Sequence, residues 1–350
     1  MKLMVTGGAG FIGSNFILQQ VNILNNDVLC FDKLTYAGNI DNLKSIESSS
    51  LYSFIHGDIC DGNKVSETIH EFKPDAIIHF AAESHVDRSI DGPMEFIQTN
   101  IVGTGILLDA SLNYYKYLSK EKKIKFKFLH VSTDEVYGSL GHTGLFKETT
   151  SYDPNSPYSA SKASSDHLVR SWSRTFGLPI LITNCSNNYG PNQFPEKLIP
   201  LMIINAILNK SLPIYGSGKN VRDWLFVTDH CTAIYTVLKK GKVGETYNIG
   251  GNCEKQNVEI VNEICDLLDK LIPKENGQSY KEQIVYVKDR PGHDMRYAID
   301  SSKIKNELGW SPLETFDTGM QKTIKWYLEN ENWWKAIQNK KYEQERLGLV

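Results

Sequence analysis

The most constraining feature of this chain lies near its start, where Met4-Val5-Thr6 runs directly into Gly7-Gly8-Ala9-Gly10-Phe11-Ile12-Gly13 and then into a helical pattern over residues 14–20. An apolar strand, a turn with glycines at positions 7, 10 and 13, and a helix in that order describe the opening of a β-α-β unit. Each glycine has a steric reason: a Cβ would block the tight turn, the approach of a pyrophosphate to backbone N–H groups, or close packing of the helix. The helix start adds oriented donors and partial positive charge for phosphates. Asp32 ends the next apolar run, 28–32, about 20 residues beyond Gly13, where a carboxylate can accept both hydroxyls of an adenosine ribose. That carboxylate would repel a phosphate on the ribose, so NAD is expected rather than NADP. Gly57-Asp58-Ile59 follows the third apolar run and is placed to hold the adenine edge.

The same rhythm continues to residue 190. Strand-length runs at 3–6, 28–32, 51–56, 76–81, 125–132 and 179–184 alternate with longer amphipathic stretches, the pattern of a parallel sheet built from β-α-β units. After Tyr189-Gly190-Pro191 it gives way to a helix at 197–209, short strands at 212–215 and 246–248, and helices at 258–271 and 315–330. The expected fold is α/β, a Rossmann-type doubly wound parallel sheet with a smaller mixed α/β carboxy-terminal substrate domain. Residues 1–190 are assigned to dinucleotide binding and catalysis, 191–335 to the second domain and 336–350 to a surface tail. Trp333-Trp334 is expected to pack that tail onto the body, with 339–346 a frayed surface helix, and the lysine-rich 120–123 is read as a solvated helix end.

Composition removes several function classes. With 38 Lys+Arg against 41 Asp+Glu the net charge is -3, so no basic field exists to attract nucleic acid or an anionic membrane. The longest apolar run, 198–208, contains Pro200 and Asn205 and is too short to span a bilayer. No charged stretch followed by an apolar core opens the chain, so a cytoplasmic protein is expected. The six cysteines, Cys30, Cys60, Cys185, Cys231, Cys253 and Cys265, form no C-x-x-C pair and no metal-ligand spacing. They read as reduced, mostly buried thiols, and no metal is expected.

Tyr158-Ser159-Ala160-Ser161-Lys162 puts a phenol and an ammonium one helical turn apart. A free tyrosine titrates near 10, so acting as a base near neutral pH takes roughly 4 kcal/mol of help. A solvent-exposed lysine, worth at most about 1 kcal/mol, could not supply it. A partly desolvated Lys162 acting with the positive charge of an oxidised nicotinamide could. Downstream of a dinucleotide fingerprint, and of a strand ending Val131-Ser132-Thr133, the pair points to hydride transfer at an alcohol carbon.

At this point the chain resembles the extended short-chain dehydrogenase/reductases, and most nearly their sugar-nucleotide 4,6-dehydratases, over residues 1–335. The segments that carry the likeness are TGGAGFIGSN (6–15), LTYAGN (34–39), AAESHVDRSI (81–90), STDEVYGS (132–139), SPYSASKA (156–163), CSNNYGP (185–191), PEKLIP (195–200), NVRDWL (220–225) and DRPGHDMRYAID (289–300). The most discriminating is Thr133-Asp134-Glu135, an adjacent acid pair that epimerising and decarboxylating relatives lack. Oxidising a sugar at C4 acidifies the C5 proton, so a base there expels the C6 hydroxyl if an acid protonates it. The resemblance implies Tyr158 as base at C4, Lys162 as its electrostatic helper and ribose ligand, and Thr133 as a second hydrogen-bond partner. Glu135 takes the C5 proton and Asp134, kept protonated, serves the leaving hydroxyl.

By the same resemblance, NAD is contacted by the glycines with Phe11, Ile12, Asp32, Lys33, Leu34, Thr35, Asp58, Ile59, Phe80, Ala81, Ala82, Ser84, Thr99, Tyr158, Lys162 and Asn188. The implied substrate is dTDP-glucose, contacted by Ser84, Thr133, Asn187, Lys197, Leu198, Pro213, Ile214, Tyr215, Arg222, Asn257, Arg290, His293 and Tyr297. Arg222 and Arg290 suit a diphosphate, since a guanidinium binds two oxygens at once. His85 is expected beside the site, and His79 and His130 in the core. The family further implies a homodimer through helices near 93–117 and 157–176. One departure stands out: Thr183-Asn184-Cys185 carries asparagine where the pattern has arginine. A dehydratase acting on a UDP- or CDP-linked sugar, a related 4-epimerase, and a non-catalytic NAD-binding module remain as alternatives.

Overall fold

Runs of buried β-branched and aromatic residues alternate with amphipathic helices, and the runs close into one seven-stranded sheet in the order β10-β6-β5-β4-β1-β2-β3. These strands are β1 (Lys2–Thr6), β2 (Asp27–Asp32), β3 (Tyr52–His56), β4 (Ala76–His79), β5 (Lys127–Thr133), β6 (Ile180–Cys185) and β10 (Thr246–Ile249). The computed structural model describes residues 1–289 and 293–340, Lys340 by its backbone alone. Every pairing in the sheet is parallel. Helices cover both faces, so the central strands are apolar throughout rather than alternating.

The chain enters at β1, winds outward through β2 and β3, and returns to β4 on the other side of β1, where Thr6 lies opposite His79. This reversal of winding leaves a crevice at the carboxyl ends of β1 and β4, the place where open α/β sheets bind ligands. One core lies on each face, around Phe16, Val28, Ile78 and Val237 on one and Phe31, Ile77, Leu107 and Val169 on the other. The seventh strand comes from Thr246–Ile249, past Gly190. The helix Val227–Lys240 also returns to the first body, where Cys231, Ala233 and Ile234 join its core.

The remaining strands, β7 (Asn187–Tyr189), β8 (Leu212–Tyr215), β9 (Val221–Phe226), β11 (Glu254–Gln256) and β12 (Ile284–Val287), form a three-stranded sheet, β11-β9-β7, and a two-stranded one, β12-β8. The helices Leu198–Ile207, Asn257–Leu271 and Phe316–Glu329 pack on them around Ile203, Trp224, Ile264, Met320 and Tyr327. The last described helix, Glu331–Lys340, is pinned by its tryptophans as expected: Trp334 Nε1 donates to the Tyr327 carbonyl at 2.9 Å and Trp333 Nε1 to Asn42 Oδ1 at 2.8 Å. Residues 341–346 of the expected tail helix lie outside the described residues. Lys120–Lys125 is a short helix with no buried residue. Among the described residues no helix is long and apolar enough to cross a membrane.

Candidate active site

The turn after β1 is built as the glycine spacing requires. Gly7 has φ of +70°, and a Cβ on it would stand 2.5 Å from the Ala81 nitrogen, while one on Gly13 would stand 2.3 Å from the Gly7 oxygen. The helix Phe11–Asn22 starts at Gly10 with no side chain capping it, which leaves its first N–H groups for a ligand. At the end of β2, Asp32 accepts from the Ala9 N–H at 2.9 Å through Oδ2 and from the Leu34 N–H at 2.7 Å through Oδ1. A carboxylate offers about four acceptor sites, so it can serve backbone donors and ribose hydroxyls together. Lys33 Nζ pairs with Asp58 Oδ2 at 2.8 Å. Burial works against the Asp58 carboxylate, but Lys33 and the Cys60 backbone N–H hold it below its usual range. The cradle fits a dinucleotide.

One cleft gathers Gly7, Gly10, Phe11, Ile12, Gly13, Asp32, Lys33, Thr35, Asp58, Ile59, Phe80, Ala81, Ala82, Ser84 and Thr99 with Thr133, Asp134, Glu135, Tyr158, Lys162, Asn187, Asn188 and Lys197. Leu34 instead takes a left-handed turn conformation. Leu198, Pro213, Ile214, Tyr215, Arg222, Asn257, His293 and Tyr297 do not line this cleft, and Arg290 lies outside the described residues. Ile214 is buried in the second core. Arg222 sits 4.3 Å over the Tyr297 ring and donates to the Asp294 carbonyl at 3.0 Å. His293 Nδ1 lies 2.6 Å from Asp289 Oδ1, with its ring edge-on to Tyr215.

The chemistry-bearing groups come from the end of β5 and from the helix Pro157–Phe176. Ser156 caps that helix reciprocally with Ser159, and Pro157 occupies its first turn. Thr133 ends β5 and accepts from the Glu135 N–H at 3.3 Å, which starts a single 3-10 turn and throws the acid pair into the cleft. Asp134 is 1% exposed, and its Oδ2 has no partner among the described residues. Burial, then the charges of Glu135 and Asp223, push this carboxyl well above the usual range, which favours its protonated form. The Tyr158 phenol is also pushed up, first by burial and then by Glu135, with a Thr133 hydrogen bond opposing. Lys162 is pushed down to about 8 by burial, and its Nζ donates to the Val131 carbonyl at 3.0 Å. Asn100 ties this helix to the loop after β4, donating to Ser161 Oγ at 2.8 Å and accepting from the Glu83 N–H at 2.9 Å.

Several cleft residues were not singled out from sequence: Glu83, Cys185, Ser186, Gln193, Phe194 and Glu196. Glu83 and Glu196 sit inside AAESHVDRSI and PEKLIP, so the signal was present, but nothing in a one-dimensional pattern shows that their charges face a cleft. Glu196 Oε2 accepts from Arg88 Nε at 3.0 Å, and Arg88 in turn lies 3.8 Å over the Tyr36 ring. Where the pattern has arginine, Asn184 Nδ2 donates to the Thr133 carbonyl at 3.1 Å and to Asp166 Oδ2 at 3.3 Å. His85, as expected, stands beside the site, capping the short helix Val86–Asp91, and His79 and His130 are in the core.

Residues 4–323 match the family model described as GDP-mannose 4,6 dehydratase. The chain is 58% identical over 352 residues to a dTDP-glucose 4,6-dehydratase of Shigella flexneri, covering 98% of this chain and 97% of the relative. Among solved structures it is similar to a Bacillus anthracis dTDP-glucose 4,6-dehydratase in complex with NAD, with a TM-score of 0.86, 49% identity, and 96% and 99% of the two chains covered. A dTDP-glucose 4,6-dehydratase of Streptomyces venezuelae with NAD bound gives a TM-score of 0.88 at 44% identity, covering 96% and 100%. The glycine cradle, the Tyr158–Lys162 helix and the buried acid beside Glu135 thus occur in a chain that belongs to the extended short-chain dehydrogenase/reductases, among their dTDP-glucose 4,6-dehydratases.

Proposed function

We propose that this chain converts dTDP-glucose to dTDP-4-keto-6-deoxyglucose and water, as an NAD-dependent hydro-lyase. The observation that carries this reading is Asp134, a fully buried carboxyl with an unpartnered oxygen, adjacent to Glu135 and in one cleft with Tyr158. When bound, NAD supplies a reversible two-electron acceptor that takes hydride from C4 and returns it at C6. With the positive charge of bound NAD and of Lys162 offsetting the burial that otherwise keeps the phenol neutral, Tyr158 would ionise and so take the proton of the C4 hydroxyl, while the Thr133 hydroxyl hydrogen-bonds the same oxygen. Once C4 is a ketone, Glu135 removes the proton at C5, the C6–O bond breaks, and Asp134 delivers its proton to the departing oxygen, releasing water; Glu135 gives its proton back to C5 when C6 is reduced, and Tyr158 and Asp134 recover their starting protonation by exchange with solvent. Lys162 holds positive charge beside the phenol through these transfers. A 4-epimerase has no use for a buried protonated acid next to a base, which favours dehydration.

The deciding measurement is mass spectrometry of dTDP-glucose carrying deuterium at C4, incubated with purified protein and no added cofactor. Loss of one water with the label retained at C6 is expected. Release of water only from UDP- or CDP-glucose would reassign the base, and no release from any of them with NAD added would overturn the dehydratase reading.

We further infer that residues 1–190 hold NAD and the catalytic groups and that 191–335 recognise the sugar nucleotide, with Arg222 binding the diphosphate. Its buried position over Tyr297 supports this. Arg222→Lys keeps the charge but loses the planar fork. It is expected to weaken dTDP binding about tenfold in calorimetry, with NAD still bound, and unchanged dTDP affinity would remove Arg222 from the site. A homodimer through the helices near 93–117 and 157–176 is supported by exposed Met94, Ile97, Val102 and Phe176 on them. Sedimentation is expected to give a dimer at micromolar concentration, and monomer alone would refute it. The six free cysteines suit a reduced cytoplasmic setting.

A further inference from the structure

Tyr158, Lys162, Asp166 and Arg170 stand at successive steps of four along the Pro157–Phe176 helix. That spacing keeps side chains on one face, so the Tyr–Lys pair is half of a longer ladder. Asp166 is fully buried one turn beyond Lys162. Its Oδ2 accepts from the Tyr152 hydroxyl at 2.7 Å and from Asn184 Nδ2 at 3.3 Å, while its Oδ1 lies 3.2 Å from His130 Nε2. Arg170 Nη2 stands behind them and donates to the Tyr152 hydroxyl at 2.7 Å. The same His130 Nε2 lies 3.4 Å from Lys162 Nζ. Lys162 lines the cleft, whereas His130, Tyr152, Asp166 and Arg170 do not.

A buried carboxylate with no ligand to touch is costly, and apolar packing would replace it without loss if it served the fold alone. The groups that face Lys162 show what it supplies. His79 from β4 and His130 from β5 are both held neutral by burial, His130 at about 4. The Cys185 thiol from β6 is pushed up by burial and is also neutral. Tyr158, on the same helix as Lys162, is a neutral phenol in the free protein. Burial works against the Asp166 charge, but His130, Lys162 and the Tyr152 hydroxyl hold it below the usual carboxylate range. Asp166 is therefore the anion that Lys162 faces on this side of the sheet.

We propose that Asp166 is the positioning residue for Lys162: its carboxylate, presented across His130, keeps Lys162 an ammonium while Tyr158 gives and takes protons. This rests on the roles given to Tyr158 and Lys162 above. Without the carboxylate, Lys162 releases its proton at lower pH, and the alkaline side of the rate profile falls earlier. Arg170 opposes the same field, so its removal acts in the other direction.

The test uses NAD-loaded protein carrying 13C at the lysine ε-carbons, with the Lys162 signal identified by its loss in Lys162→Met. In Asp166→Asn this signal is expected to titrate lower by about one pH unit or more. The alkaline limb of kcat should move down with it, while dTDP affinity stays within about twofold of the parent's and maximal kcat drops about tenfold. In Arg170→Gln, which removes a cation from the same field, the titration is expected to move up. An unmoved Lys162 titration in folded Asp166→Asn, or one that stays or moves down in Arg170→Gln, overturns the proposal in favour of a structural role, which would lower melting temperature without moving either titration. Should Asp166→Asn not fold, the direction seen in Arg170→Gln decides. The lysine titration needs no turnover, so failure of the parent to release water from dTDP-glucose would overturn the dehydratase reading and leave this one to the NMR result.

Discussion

Replacing Tyr158 by phenylalanine is expected to slow reduction of the bound cofactor by dTDP-glucose about a thousandfold or more, since it removes the base assigned to the C4 hydroxyl proton. The absorbance of reduced nicotinamide after mixing enzyme with substrate reads this step directly. Phenylalanine keeps the ring that packs edge-on to Phe96 at 6.3 Å and removes a phenol held neutral by burial, so the cost in stability should stay within about 1 kcal/mol. A melting temperature close to the parent's would thus accompany the lost activity. Normal accumulation of reduced cofactor in Tyr158→Phe would take the base role away from this residue.

Changing the acid pair should split the reaction at a different place. Glu135→Gln and Asp134→Asn are expected to let the cofactor be reduced while slowing elimination by about 100-fold or more, so that reduced cofactor builds up and water release lags behind it. Asp134→Asn is nearly isosteric with the protonated carboxyl, so a well-folded variant is expected. The pH response follows from the direction of its shift. Asp134 keeps its proton to higher pH than an ordinary carboxylic acid, so elimination should persist beyond the usual carboxylate range and fall as pH rises through the raised value. Equal loss at the hydride step in Tyr158→Phe, Asp134→Asn and Glu135→Gln would sink this division of labour.

The two predictions rest on different kinds of legibility. The glycine turn could be read in one dimension because its cause is local: at Gly7 the backbone takes φ of +70°, and at Gly7 and Gly13 it passes too close to its neighbours to admit a Cβ. Tyr158 and Lys162 could be paired for a similar reason, since one helical turn places them on the same face. Six of the strands of the large sheet begin and end within two residues of the apolar runs that announce them, because a strand buried on both faces is apolar along most of its length. The Thr246–Ile249 strand shows where this stops. Its character is equally plain, but which sheet it joins is set by β6 lying beside it, and that pairing is a long-range contact.

Electrostatics is the larger divide. Asp134-Glu135 in a sequence is simply two carboxylates; that one of them is a neutral acid depends on the walls around it and on Asp223, far along the chain. Asp166 completes a spacing of four with Tyr158 and Lys162 that was open to inspection, yet its meaning depends on His130 from β5 and Tyr152 from a loop meeting it inside the protein. Glu83 and Glu196 were inside recognised segments, but only the fold turns them toward one cleft. The dinucleotide cradle, the α/β architecture and the candidate reacting side chains are legible in one dimension because they follow from sterics and periodicity over a few residues. The physical cause that favours a protonated Asp134, the burial of Lys162 and the charge it faces are not, because burial and field belong to groups brought together from distant parts of the chain.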